Sequence, residues 1–232
     1  MIDNFKAIDK FLQFEDGTFY KFELLVRNTD GNNILYQDGY SATNKNILIK
    51  SWYVDNKDYY EKIKHEMITM SELTGARLYV TLDRKDNVKL VQNLIHAFTD
   101  TLCAIVKGQT PSIKNIAKIF ASETSKVENS SKSTKTLMFD VDTKEETVRK
   151  VVCDYIESEH QVPLVLETKK GYHIFCFRKF NHANWLEFCF SNYLRDTDCL
   201  SPRLIYTKSE FKNTVSVKEN ELGLVYHPEK GI

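Results

Sequence analysis

Apolar and polar residues follow two different rhythms along this chain. In the first part, residues 18–27, 34–36 and 46–54 form short strand-like runs, separated by turn clusters such as Asn28-Thr29-Asp30-Gly31-Asn32-Asn33. Residues 58–73 carry a helical pattern that Gly75 ends. Arg77-Leu78-Tyr79-Val80-Thr81-Leu82 alternates as a strand, and residues 88–106 place apolar side chains at helical spacing. Residues 121–136 are rich in Ser, Thr and Lys and read as a solvated loop or linker. Beyond it the rhythm is clearer. A strand over 137–142 leads to a helix over 144–159, with Thr143 or Asp142 at its cap and Glu145 and Glu146 in its first turn. Strands over 162–167 and 173–178 flank a turn, a second helix covers 181–194, and strands follow at 202–206 and 222–226.

The second half therefore reads β-α-β-β-α-β, the order of a ferredoxin-like or RNA-recognition-like sheet whose helices cover one face and leave the other open for a groove. The expected fold class is α/β (α+β): that sheet packed with an N-terminal α/β module. The division along the chain is residues 1–120, a polar linker at 121–136, and a catalytic module at 137–232, the two modules forming one domain. Composition narrows the class only a little. Lys+Arg and Asp+Glu balance at 32 each among 232 residues, which argues against a surface coated in positive charge and leaves room for a local basic groove. Five cysteines without a CxxC or zinc spacing read as free thiols in a reducing compartment. No run approaches the ~20 apolar residues of a membrane span and the first residues are not a signal peptide. The expected location is the cytoplasm, or that of an infected host cell, with no membrane partner.

Three constellations carry chemistry. In Leu137-Met138-Phe139-Asp140-Val141-Asp142, the two aspartates share one face of a strand, where like charges need a cation or a proton between them. Oxygen-only ligands of this kind suit Mg²⁺ or Mn²⁺. In Glu167-Thr168-Lys169-Lys170-Gly171-Tyr172-His173, a basic turn delivers a histidine into an apolar strand, where His173 and Thr168 are placed to hold nucleotide phosphates. In Arg195-Asp196-Thr197-Asp198 and the run to Tyr206, a third carboxylate stands before a strand, followed by Arg203, Lys208 and Lys212. Asp198 is the preferred third metal ligand and Asp196 the alternative.

Together these motifs resemble the catalytic core of archaeo-eukaryotic primases and primase-polymerases, over about residues 135–215. Lys170-Gly171-Tyr172-His173 is especially similar to the compact phage and plasmid forms. The resemblance implies a DNA primase or primase-polymerase, a nucleotidyltransferase acting on single-stranded DNA with NTPs or dNTPs, with a replicative helicase as a further partner. It implies that Asp140, Asp142 and Asp198 hold two divalent ions, that His173 contacts the incoming phosphates, and that Lys169, Lys170, Arg203 and Lys208 assist. The chain departs from the family pattern at Gly171, where a serine is usual, and in lacking an apolar-Asp pair in the third motif. Two other readings stand beside it: a metal-dependent nuclease built on Asp140 and Glu167-Thr168-Lys169, and an inactive nucleic-acid-binding replication subunit.

Overall fold

The computed structural model describes residues 1–27, 46–109, 113–131, 135–158, 162–180, 215–219 and 222–228. The chain is mixed α+β, with two antiparallel sheets. The first sheet has the order β1-β10-β4-β2-β3, with β5 paired to β2. Its strands are β1 (Ile2–Asp3), β2 (Thr18–Val26), β3 (Ile47–Val54), β4 (Arg77–Thr81), β5 (Lys85–Asp86) and β10 (Leu222–His227). The second has the order β7-β8-β6-β9, from β6 (Lys135–Val141), β7 (Leu164–Glu167), β8 (Tyr172–Phe180) and β9 (Val215–Glu219). The described helices are α1 (Phe5–Phe11), α2 (Lys57–Thr74), α3 (Asn87–Val106), α4 (Ile113–Ser125) and α5 (Glu146–Ser158).

Local rules account for most of these elements. Asn56 caps α2 by accepting from Tyr59 N, and Gly75 ends it in the left-handed region, φ 64°. Tyr60, Ile63 and Met67, at helical spacing on α2, are buried against Phe22, Leu24, Trp52, Val54, Leu78 and Val80 of the first sheet. Burying such a face is the main favourable contribution to folding, roughly 1.5–3 kcal/mol for each large apolar side chain. The same core continues without a break into the second sheet through Met138, Leu166 and Phe175.

Where the sheets meet, Asn4 joins them. Its Nδ2 donates to Glu167 O and Leu224 O, both at 2.9 Å, and its Oδ1 accepts from Glu167 N at 2.9 Å. The amide thus occupies both backbone groups of Glu167 on edge strand β7, as another strand would. Gly223 of β10 permits this approach, because a Cβ there would stand 3.0 Å from Leu166 Cδ1.

Three expectations need correction. The described part of the expected linker, residues 121–131, is not a solvated loop: its first five residues end α4, a 3₁₀ turn follows at Val127–Asn129, and Glu123, Thr124, Asn129 and Ser130 are buried. The polar composition there reflects a hydrogen-bonded seat for Lys21 and Lys85. The strand at 222–227 exists, but it belongs to the first sheet, between β1 and β4, so it leaves the 137–232 stretch to which sequence order assigned it. Strand β9 pairs with β6, at residues for which no strand was expected. The predicted strand 34–36, helix 181–194 and strand 202–206 lie outside the described residues.

Candidate functional site

Strand alternation sorts the second sheet into two faces. Phe139 and Val141 of β6 and Ile174 and Cys176 of β8 are buried on one face. Helix α5 packs on β6 and β8, burying Val148, Val152 and Ile156. Met138 and Phe175, opposite each other in register, point the other way into the core shared with the first sheet. That face is therefore not open throughout, contrary to expectation, because its apolar half is covered. One step further along the same face, the next register pair is Asp140 and His173.

These two residues are the centre of the site. His173 Nε2 stands 3.5 Å from Asp140 Oδ1, with 14% and 18% of the two side chains exposed. The His173 ring packs edge-on to Phe175 at 6.3 Å, so the imidazole is held by the apolar strand it emerges from. A protonated imidazole in this place makes an ion pair with the carboxylate; a neutral one offers a polar contact. Asp142 lies one residue past the end of β6 and is exposed. On the opposite flank, register places Ser216 of β9 across from Asp140. The sequence reading assigned Ser216 no role, although Val215-Ser216-Val217-Lys218 alternates with the period of a strand.

The turn before β8 is tied to the aspartate strand. Thr168 N donates to Gly171 O at 2.9 Å, and Gly171 N donates back to Thr168 Oγ1 at 3.1 Å. The Thr168 hydroxyl thus closes the turn, with Lys169 and Lys170 exposed at its tip. Gly171 lies directly against the backbone of Val141 and Thr143.

Beyond the turn, Lys144 Nζ donates to Glu167 Oε1 at 2.6 Å and lies 5.2 Å from the Tyr172 ring centroid. Arg149, paired with Glu146, approaches the same ring at 5.7 Å. Glu167 stands opposite Tyr172, and Tyr172 opposite Val141, so register puts Glu167 on the α5 side of the sheet, away from Asp140.

Sequence reasoning thus named two residues that the fold brings together, Asp140 and His173, with Asp142 and the 168–171 turn beside them. Asp196, Asp198, Arg203, Lys208 and Lys212 lie outside the described residues. Asp140 and Asp142 offer the hard oxygen donors that Mg²⁺ or Mn²⁺ takes, but among the described residues no group of three His, Cys, Asp or Glu is gathered to hold an ion. Nor is any described helix long and apolar enough to cross a membrane. The described cysteines Cys103, Cys153 and Cys176 are free thiols. No family model, no curated protein and no solved structure matches this chain.

Proposed function

We propose that this chain is a template-dependent nucleotidyltransferase of the primase or primase-polymerase kind, acting at the Asp140–His173 end of the second sheet. The observation that carries the reading is the cross-strand pairing of these two residues, partly buried at the rim of an otherwise apolar face. The strand order β7-β8-β6-β9 supports it. Numbered among the described strands of this half, the order is 2-3-1-4, antiparallel throughout, which fits an RNA-recognition-like sheet.

Asp140 and Asp142 are the metal-binding carboxylates in this reading, completed by Asp198 or Asp196. Divalent ions bound by them would activate the attacking 3′-hydroxyl and stabilise the departing pyrophosphate. His173 donates a ring N–H to a phosphate oxygen. Lys169 and Lys170, at the exposed tip of the turn, attract the triphosphate or the template backbone, with Arg203 and Lys208 as further cations, and binding weakens as salt rises. The nuclease alternative receives less support, because Glu167 lies across the sheet from Asp140 and is engaged by Lys144.

The test is primer synthesis on single-stranded DNA with Mg²⁺ or Mn²⁺, comparing wild type with Asp140→Ala/Asp142→Ala. Incorporation should fall by about 100-fold or more, the scale on which removing charge-stabilising groups acts. Unchanged incorporation by the double variant would overturn the proposal. Degradation of labelled DNA without synthesis would transfer it to the nuclease reading.

A further inference from the structure

The second aspartate of the pair lies where the sheet no longer holds it. Val141 is the last residue of β6, paired with Tyr172 on one side and Val215 on the other. Asp142 opens a link, residues 142–145, that runs to α5 without strand pairing. Alternation keeps Asp140 and Asp142 on one face only while the chain stays extended, and neighbouring carboxylates repel each other. The direction of this link must therefore be fixed by contacts other than the ladder.

Three ties fix it. Gly171 lies against the backbone of Val141 and Thr143. Thr143 Oγ1 accepts from Glu145 N at 3.2 Å, which turns the link into α5. Lys144 Nζ donates to Glu167 Oε1 at 2.6 Å and lies 5.2 Å from the centroid of the Tyr172 ring. Glu167 and Tyr172 are register neighbours across β7 and β8, so a carboxylate and a ring hold one ammonium together. An exposed ion pair by itself orders little, but the acceptor of this one stands on a fixed base. Asn4, 7% exposed, occupies both backbone groups of Glu167 and also donates to Leu224 O. The contacts thus run from Leu224 of the first sheet through Asn4, Glu167 and Lys144 to a point two residues past Asp142. They grip the link from the α5 side, behind the face that carries Asp140 and His173.

We propose that Lys144 and Glu167 are positioning residues: their pair braces the link so that the Asp142 carboxylate stays beside that of Asp140, ready to share a divalent ion. The inference rests on the nucleotidyltransferase reading, which makes Asp142 a metal ligand. It also gives a task to the acid of Glu167-Thr168-Lys169, a pattern which that reading leaves unused. Neither residue touches the ion or the substrate; each acts through the backbone that carries Asp142.

Mn²⁺ binding by the full chain tests it, with free Mn²⁺ read by electron paramagnetic resonance and neither nucleotide nor DNA present. Lys144→Met and Glu167→Gln should each weaken binding about 10-fold, the lower end of what residues behind the ligands contribute to metal affinity. Far-UV circular dichroism of both should stay that of wild type. Charge alone predicts the opposite sign for the first variant, because losing a cation near two carboxylates should tighten Mn²⁺ binding. The reversed pair, Lys144→Glu/Glu167→Lys, should restore most of the affinity. Tighter or unchanged binding by Lys144→Met, or a reversed pair no better than the single variants, would overturn the brace. Asp140→Ala/Asp142→Ala separates the two claims. If wild type binds no Mn²⁺, or this double variant binds it equally well, the nucleotidyltransferase reading falls and the brace with it. If the double variant loses the ion while Lys144→Met keeps it at full affinity, the brace alone falls.

Discussion

A Cβ on residue 171 would stand 1.8 Å from the carbonyl oxygen of Val141 and 2.7 Å from Thr143 N. Both are backbone atoms of the aspartate segment, so neither can swing aside as a long side chain would. Gly171→Ala is expected to destabilise the chain at the upper end of the ~1–3 kcal/mol seen for overpacking and, under the proposed function, to abolish primer synthesis by displacing Asp140 and Asp142. Thermal melting beside the synthesis assay checks both parts, and a variant with wild-type melting and activity would refute the steric account. Any residue with a Cβ at this position would strike the same oxygen. The sequence marked Lys170-Gly171-Tyr172-His173 as a turn entering a strand, and that much was legible. The packing reason for the glycine was not, because it lies in a strand 30 residues away in sequence (171 against 141) and no left-handed φ at Gly171 demands it.

Strand β2 shows what alternation can and cannot reveal at the level of an element. Tyr20, Phe22, Leu24 and Val26 alternate with Phe19, Lys21 and Glu23, the pattern of a strand with one wet face. The apolar set does enter the core, but Lys21 and Glu23 are buried as well, 1% and 9% exposed. Lys21 Nζ lies 2.6 Å from Glu23 Oε1 and donates to Ser125 Oγ at 2.8 Å, under the end of α4. Lys85, 4% exposed, donates to Lys126 O at 2.8 Å. Ser125, the Lys126 carbonyl and Ser130 thus line a polar seat, which composition alone cannot tell from a loop. Burial pushes the Lys85 ammonium below its ordinary value, and the Lys21 charge adds to this while Asp83 and Glu23 oppose it. Between that lowered value and the unfolded value of about 10.4, the unfolded chain binds more protons, so Lys85 makes stability rise with pH. Replacing it by Lys85→Met should remove this rise. The stability difference, variant minus wild type, should fall as pH climbs through that interval, as read by denaturant unfolding across alkaline pH. A difference independent of pH would show that Lys85 is not protonated differently in the two states.

At the scale of the molecule, α2, α3, α5 and most of the longer strands, β8 among them, lie within a residue or two of where periodicity put them, whereas α1 and α4 were not expected. What periodicity lacks is partner choice. Nothing in Leu222-Gly223-Leu224-Val225-Tyr226 distinguishes the edge of one sheet from that of the other, and only the long-range pairing to β4 and β1 decides it. Asn4 was equally silent, one amide near the start of the chain. Yet it is 7% exposed and holds β7 to β10. Asn4→Ala should cost about 2–3 kcal/mol, since it strands buried backbone groups of Glu167 and Leu224 without partners. Urea unfolding would measure it, and a change below about 0.5 kcal/mol, the range of ordinary surface substitutions, would show that water replaces the amide.

The pairing of β1 with β10 carries a consequence in time. Asn4 and Leu224, hydrogen-bonded in the finished molecule, are 220 residues apart along the chain. During synthesis β4 therefore emerges long before its partner β10, and the first sheet waits with that pairing edge unmet until β10 has been made. Contacts of such separation slow folding and leave strand edges vulnerable to wrong partners in the interval. The ribosome, at ~5–20 residues per second, holds that interval open for several seconds or more, in which a nascent-chain chaperone has an edge to guard.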